Sequence, residues 1–229
     1  MPSRSTFWRT LTSPKRLRVS LKRVRRSDQI ILALIAVLIG ATGGLAAIVF
    51  RYGIEFSQLL SFGYGGDSLA SYVRQLDWWY VVLVPTVGGL ILGPVIVRVM
   101  PEGRPEAVQH VIEAAALKSG RRGFWTGIKA AVISFASIGS GASVGREGPV
   151  VHLGASLGSA IAQRLHLGRR LTRTLLGCGV AAAVAASFNA PIAGVFFALE
   201  VVVGHYALTA FAPIVLASVV ATVISRMHY

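Results

Sequence analysis

Gly139-Ser140-Gly141-Ala142-Ser143-Val144-Gly145-Arg146-Glu147-Gly148-Pro149 breaks into a long apolar stretch of this 229-residue chain and sets how the chain must be read. Glu147 is the only acidic residue between Glu113 and Glu200. A carboxylate at membrane depth is costly, so such an acid points to function. Gly148-Pro149 suits a helix start, because proline needs no donor in the first turn. Glu147 is therefore expected at a helix N-terminus, where free N–H groups and the helix dipole favour an anion. A site that holds a carboxylate can hold a halide instead, with N–H donors from Gly145, Arg146 and Glu147. In place, the tethered glutamate blocks; displaced or protonated, it opens the path and becomes a proton acceptor. The glycines permit close backbone approach. The alternatives are a loop salt bridge between Arg146 and Glu147, or a nucleotide-binding glycine loop. The latter lacks a preceding strand and a following lysine.

Composition sets the medium. The chain is 54% hydrophobic and only 14% charged, against roughly 25% charged for a soluble domain. That implies an integral, multi-pass membrane protein. The net charge of +14 does not signal nucleic acid, because nine of 23 basic residues precede residue 28 and lead into an apolar run. Residues 1–27 read as a basic cytoplasmic segment under the positive-inside rule. Residues 28–229 are the transmembrane domain, set in the cell's inner or plasma membrane. Cys178 is alone, which excludes an intrachain disulfide framework and leaves a small core residue.

Outward from the signature, residues 30–49 form a charge-free run of spanning length, carrying Gly40, Gly43 and Gly44 as a face for close helix approach. Arg51 and Glu55 end the run, residues 61–77 read as an exposed connection, and residues 81–100 form a second span. Residues 101–123 are too polar to span but carry Val108, Val111, Ile112 and Ala115 at helical spacing, with Pro105 and Glu106 in the first turn. Beyond Phe124, helices are expected near 125–139, 149–165, 171–186, 191–203 and 207–225. Several are short, and Gly- or Pro-broken hydrophobic segments mark discontinuous helices whose ends meet an ion inside the membrane. The fold expected is all-α, with broken and re-entrant helices.

Gly-Arg-Glu-Gly-Pro at 145–149 after a Gly-x-Gly run resembles the signature of the CLC chloride channel and transporter family. Ser187-Phe188-Asn189-Ala190-Pro191-Ile192-Ala193-Gly194-Val195-Phe196-Phe197-Ala198-Leu199-Glu200 resembles its second hallmark, and Lys129 matches a typical family lysine. The resemblance implies two inverted halves around an anion path in each subunit, with this chain as the first half, and a homodimer using residues 191–203 and 207–225. It makes Glu147 the gating glutamate and the backbone of Gly145 to Gly148 the anion ligand. Pro149, Asn189 and Pro191 shape helix starts and packing. The implied function is gated passage of chloride across the membrane in contact with lipid; a proton-coupled chloride antiporter, or a non-transporting half that needs a complementary second half, are the alternatives.

Two departures matter. The family's Gly-Ser-Gly-Ile-Pro motif is replaced by Pro101-Glu102-Gly103-Arg104-Pro105, so Glu102 and Gly103 stand at an altered inner site, or Glu102 faces water. Val201 follows Glu200, where family exchangers commonly carry a glutamate, and this favours a channel. The five histidines show no ligand spacing for zinc, and His152 reads as a packing residue. No metal, cofactor or nucleic acid is expected, and no nucleophile–base pair points to an enzyme.

Overall fold

The computed structural model describes residues 14–66, 68–100, 103, 108–204 and 208–228, with residues 14–28 and 208 described by backbone alone. Every long regular element among them is a helix: α1 (Pro14–Phe62), α2 (Leu69–Val73), α3 (Trp78–Val99), α4 (Val108–Ala116), α5 (Phe124–Gly139), α6 (Glu147–Arg164), α7 (Arg169–Phe188), α8 (Pro191–Phe197) with a π-helical continuation (Ala198–Val203), and α9 (Leu208–His228). The chain forms two compact units, Met1–Ile35 and Ala36–Tyr229. The first is described only as the opening turns of α1; all that follows concerns the second.

Among the described residues, four helices are long and apolar enough to cross a membrane: Gln29–Phe62, Trp78–Val99, Arg169–Phe188 and Thr209–His228. Phe124–Gly139 and Pro191–Val203 are apolar but shorter. Broken helices are thus present as expected. The first span is not, however, ended by its charges. Helix α1 runs through Arg51 and Glu55, whose side chains pair at 3.2 Å one turn apart, and a pair at i,i+4 lets a helix continue where single charges would favour exit. The connection after it is also more ordered than expected. It contains α2, and Tyr64 and Tyr72 stack with centroids 4.9 Å apart.

Helix α7 is the axis of the bundle, with α6 and α9 its principal neighbours. Leu175, Leu176, Cys178, Val180, Ala181 and Ala182 are fully buried along it. Small residues let the backbones meet: a methyl on Gly154 or Gly158 would run into the carbonyls of Gly179 and Leu175, and one on Gly179 into Gly154. The face read from Gly40, Gly43 and Gly44 is used as expected. Methyls there would lie 2.6 Å from the Ala217 carbonyl oxygen, 2.9 Å from Ala182 Cβ and 3.0 Å from the Ala221 carbonyl oxygen. Such contacts replace the hydrophobic drive that lipid does not supply.

Hydroxyls fix the breaks. Ser218 donates to the Pro191 carbonyl at 2.7 Å and Ser225 to the Ala186 carbonyl at 2.9 Å, pinning α9 to both sides of the α7–α8 break. The turn after α4 is held by Ser159 of α6, which donates to the Gly120 carbonyl at 2.6 Å and accepts from the Arg122 N–H at 2.8 Å. Gly120 takes a left-handed φ of 76° there, a conformation that suits glycine past a helix end. Pro105 and Glu106, expected in the first turn before α4, lie outside the described residues.

Gly158→Ala should destabilise the fold by about 1–3 kcal/mol through overpacking. Gly93→Ala, with nothing within 4 Å of the new methyl, should be neutral or slightly stabilising. Thermal unfolding midpoints in detergent check the pair.

Candidate functional site

The signature loop leaves α5 at Gly139 and enters α6 at Glu147. Its exit is tight. Ser140 and Gly141 accept no further helical geometry: Gly141 N–H bonds the Ile138 carbonyl at 3.0 Å, Ala142 N–H the Ser137 carbonyl at 3.0 Å, and Gly141 has a φ of 94°. Gly139 packs on Ser57 of α1, and a methyl on Gly141 would lie 3.3 Å from the Phe62 ring. The loop is therefore held against the end of α1, at positions where larger residues would not fit.

The entry carries the chemistry. Gly145 has a φ of 72°, a conformation that L residues with a Cβ adopt at a cost. Arg146 follows as the N-cap, and Glu147 is the first residue of α6. The Val150 N–H bonds the Arg146 carbonyl at 3.4 Å, while no backbone carbonyl among the described residues accepts from the N–H of Gly145, Arg146, Glu147 or Gly148. Four donors therefore gather at the positive end of an 18-residue helix. The Glu147 carboxylate turns back towards residue 145: its Oε2 lies 2.7 Å from where a methyl on Gly145 would sit. Space that a side chain at 145 would need is occupied by the carboxylate of residue 147.

Arg146 and Glu147 are both exposed, and no salt bridge joins them among the described residues. The loop-salt-bridge alternative is therefore not what the structure contains. Arg146 instead lines a cavity of about 510 Å3 together with Arg51, Asn189 and Arg226. Sequence reasoning missed that grouping, since Arg51 and Arg226 come from α1 and α9 and share no motif with Arg146.

The other expected site residues lie apart from Glu147 in the chain but not all at random. Pro149 is buried in the first turn of α6. Asn189 ends α7 in the left-handed region, with a φ of 52°, and its Oδ1 accepts from the Arg226 Nε at 2.6 Å. Pro191 occupies the first turn of α8, as its sequence position suggests. Gly103 has a left-handed φ of 62° and its N–H bonds the Met100 carbonyl at 3.1 Å; Glu102 lies outside the described residues. Lys129 is exposed on α5. His152 is fully buried in α6, where its Nε2 accepts from the Arg122 guanidinium. Cys178 is buried without a disulfide, the small core residue it was read to be. Glu113, outside the spans, is held below the usual carboxylate range by its hydrogen bond and ion pair with Lys118 at 2.9 Å.

Spanning helices, shorter broken ones and a loop presenting N–H donors at a helix start define a class: helical membrane proteins with an anion-compatible helix terminus at a break. Comparison with known proteins narrows it. Residues 88–229 match the family described as voltage gated chloride channel, and the chain belongs to that family. It is 35% identical over 200 residues to a putative chloride channel protein, ClcB-like, of Ralstonia nicotianae, covering 85% of this chain and 46% of that protein. It is 30% identical over 196 residues to the voltage-gated ClC-type chloride channel ClcB of Escherichia coli, with the same coverage. The chain thus spans about half the length of the relatives it matches.

Solved structures agree in fold. A slow cyanobacterial Cl-/H+ antiporter superposes with a TM-score of 0.67 at 20% identity, covering 86% of this chain and 46% of that one. A CLC-type fluoride/proton antiporter gives 0.64 at 25% identity, covering 87% and 47%. The all-helical class with broken helices is the one expected from the sequence.

Gly145→Ala should cost about 1–2 kcal/mol from the left-handed backbone alone, and more with the carboxylate in place. Gly148→Ala, with nothing within 4 Å of its methyl, should cost well under half of that. Denaturant unfolding in detergent measures both.

Proposed function

We propose that the chain forms one wall of an anion pathway in a membrane protein that passes chloride, with Glu147 as its gate. The observation that carries this is the group of N–H donors at residues 145–148, none bonded to a backbone carbonyl among the described residues, with the Glu147 carboxylate turned back beside Gly145. A halide satisfies the same donors, so carboxylate and ion compete for one place. The gate opens when the carboxylate leaves, by rotation or on protonation. Arg146, Arg51 and Arg226 around the adjacent cavity raise the local concentration of anions. The protein acts without a cofactor and not as an enzyme.

The sequence favours a channel, because Val201 follows Glu200 where family exchangers commonly carry an acid. The second reading is a proton-coupled chloride antiporter. It draws support from the two solved neighbours, both described as antiporters, and from the capacity of Glu147 to carry a proton. In either case we take the first helix to enter from the cytoplasmic side, since the basic residues cluster before residue 28. The active unit is a homodimer. A wholly apolar groove lined by Pro191, Ile192, Val195, Phe196, Phe211 and Val219 runs between α8 and α9, a surface suited to a second copy. A complementary second half supplies the rest of the pathway.

Chloride efflux from proteoliposomes, with external pH recorded, tests the proposal on this chain with and without a complementary second half. Chloride loss free of coupled proton movement, and altered several-fold in Glu147→Ala, is the expected result. Chloride loss tied to proton uptake that vanishes in Glu147→Ala would establish the antiporter. Absence of flux in every arrangement would overturn the transport reading.

A further inference from the structure

A second basic cavity lies away from Glu147, where the turn after α4 meets the first turns of α7 and α9. Its volume is about 450 Å3, and its wall includes Ser119, Arg169, Arg170, Arg173, Thr174 and Thr209. Three arginines line one space. Arg170 donates from Nη2 to the Thr209 hydroxyl at 2.9 Å, which ties α7 to α9 and leaves its other donors for a ligand. The Arg173 Nε is buried and has no hydrogen-bond partner, a position that calls for an acceptor. The Arg173 backbone is fixed from behind, since a methyl on Gly120 would come within 3.1 Å of its N and Cα.

The surroundings add to the charge. Helix α7 begins at Arg169 and α9 at Leu208, so two positive helix ends converge there. The nearest acid along the chain, Glu113, is already engaged by Lys118. The cavity is far larger than a bare halide requires, and its donors are guanidiniums, whose planar fork matches the paired oxygens of a phosphate. Arg169 and Thr209 also open the two spanning segments Arg169–Phe188 and Thr209–His228. Span ends lie at the depth of lipid headgroups. Leu117, 78% exposed, lines the same cavity and offers apolar surface beside the charge.

We propose that this cavity binds the phosphate of an anionic phospholipid, with Arg169, Arg170 and Arg173 as ligands. Lipid so held would brace the starts of α7 and α9 against each other. Basic pockets between spanning helices are suited to such headgroups.

The test is native mass spectrometry of the full chain in detergent with equal phosphatidylglycerol and phosphatidylcholine. Wild type should retain phosphatidylglycerol in preference, and R169Q/R170Q/R173Q should lose about a hundredfold of that preference. Arg98→Gln, at the end of another span, should keep it. Equal retention in wild type and triple variant would overturn the proposal. A separate arm adds inorganic phosphate without lipid: thermal protection equal to that by phosphatidylglycerol would overturn the lipid assignment in favour of free phosphate. Should the triple variant fail to fold, wild type alone decides. Phosphatidylglycerol retention must fall as salt rises, and retention indifferent to salt would refute an electrostatic site.

Discussion

Lipid is as apolar as leucine, so helices in a bilayer gain nothing from hiding hydrophobic surface from one another, and what joins them must be contact at close range. In this protein that contact is backbone on backbone between α6 and α7. Gly154 and Gly158 lie against Gly179 and the Leu175 carbonyl with no room for a methyl. The approach puts Ala155, Ser156 and Ala162 out of reach of solvent and buries nearly the whole of α7 after its first turn. Because α6 cannot shift along α7, its first residue cannot shift either. The position of Glu147 is set by glycines some two turns or more further along the same helix.

Breaks in spanning helices leave carbonyls and N–H groups without partners, a severe penalty where water is excluded. The protein deals with each break differently. At the α7–α8 break, hydroxyls of α9 take up the carbonyls, and a left-handed Asn189 turns the chain. After α4, Ser159 and Gln163 of α6 bind the backbone of Gly120 and Arg122. At the entry to α6 the N–H groups of residues 145–148 have no backbone acceptor among the described residues, and the Glu147 carboxylate lies beside Gly145.

Much of this was legible in the chain. A lone acid in apolar sequence, followed by Gly148-Pro149, located the helix start to within two residues, and the triad Gly40, Gly43 and Gly44 announced its close approach. Pro191 marked the start of α8 because proline needs no donor in a first turn. The failures have physical causes too. Arg51 and Glu55 looked like an end to the first helix because hydropathy counts charges singly, whereas one turn apart they satisfy each other. The π-helical turn at Ala198–Val203 has no compositional mark, since it depends on how α8 meets its neighbours. The arginine groupings around the two cavities draw on separate helices, and only tertiary packing brings them together.

The placement of the Glu147 carboxylate has a consequence for how the signature can vary. Position 145 is closed to larger residues by two separate obstacles. One is the left-handed backbone, which is permanent. The other is the Glu147 side chain, which in this structure fills the room a methyl at 145 would need. Substitutions at 145 and 147 are therefore coupled: a methyl at 145 meets a steric opponent only while the carboxylate is home, and a chain that had lost its glutamate would judge the same methyl by backbone conformation alone. Glycine and glutamate here form a unit of inheritance whose two letters constrain each other through a few cubic ångströms of shared space.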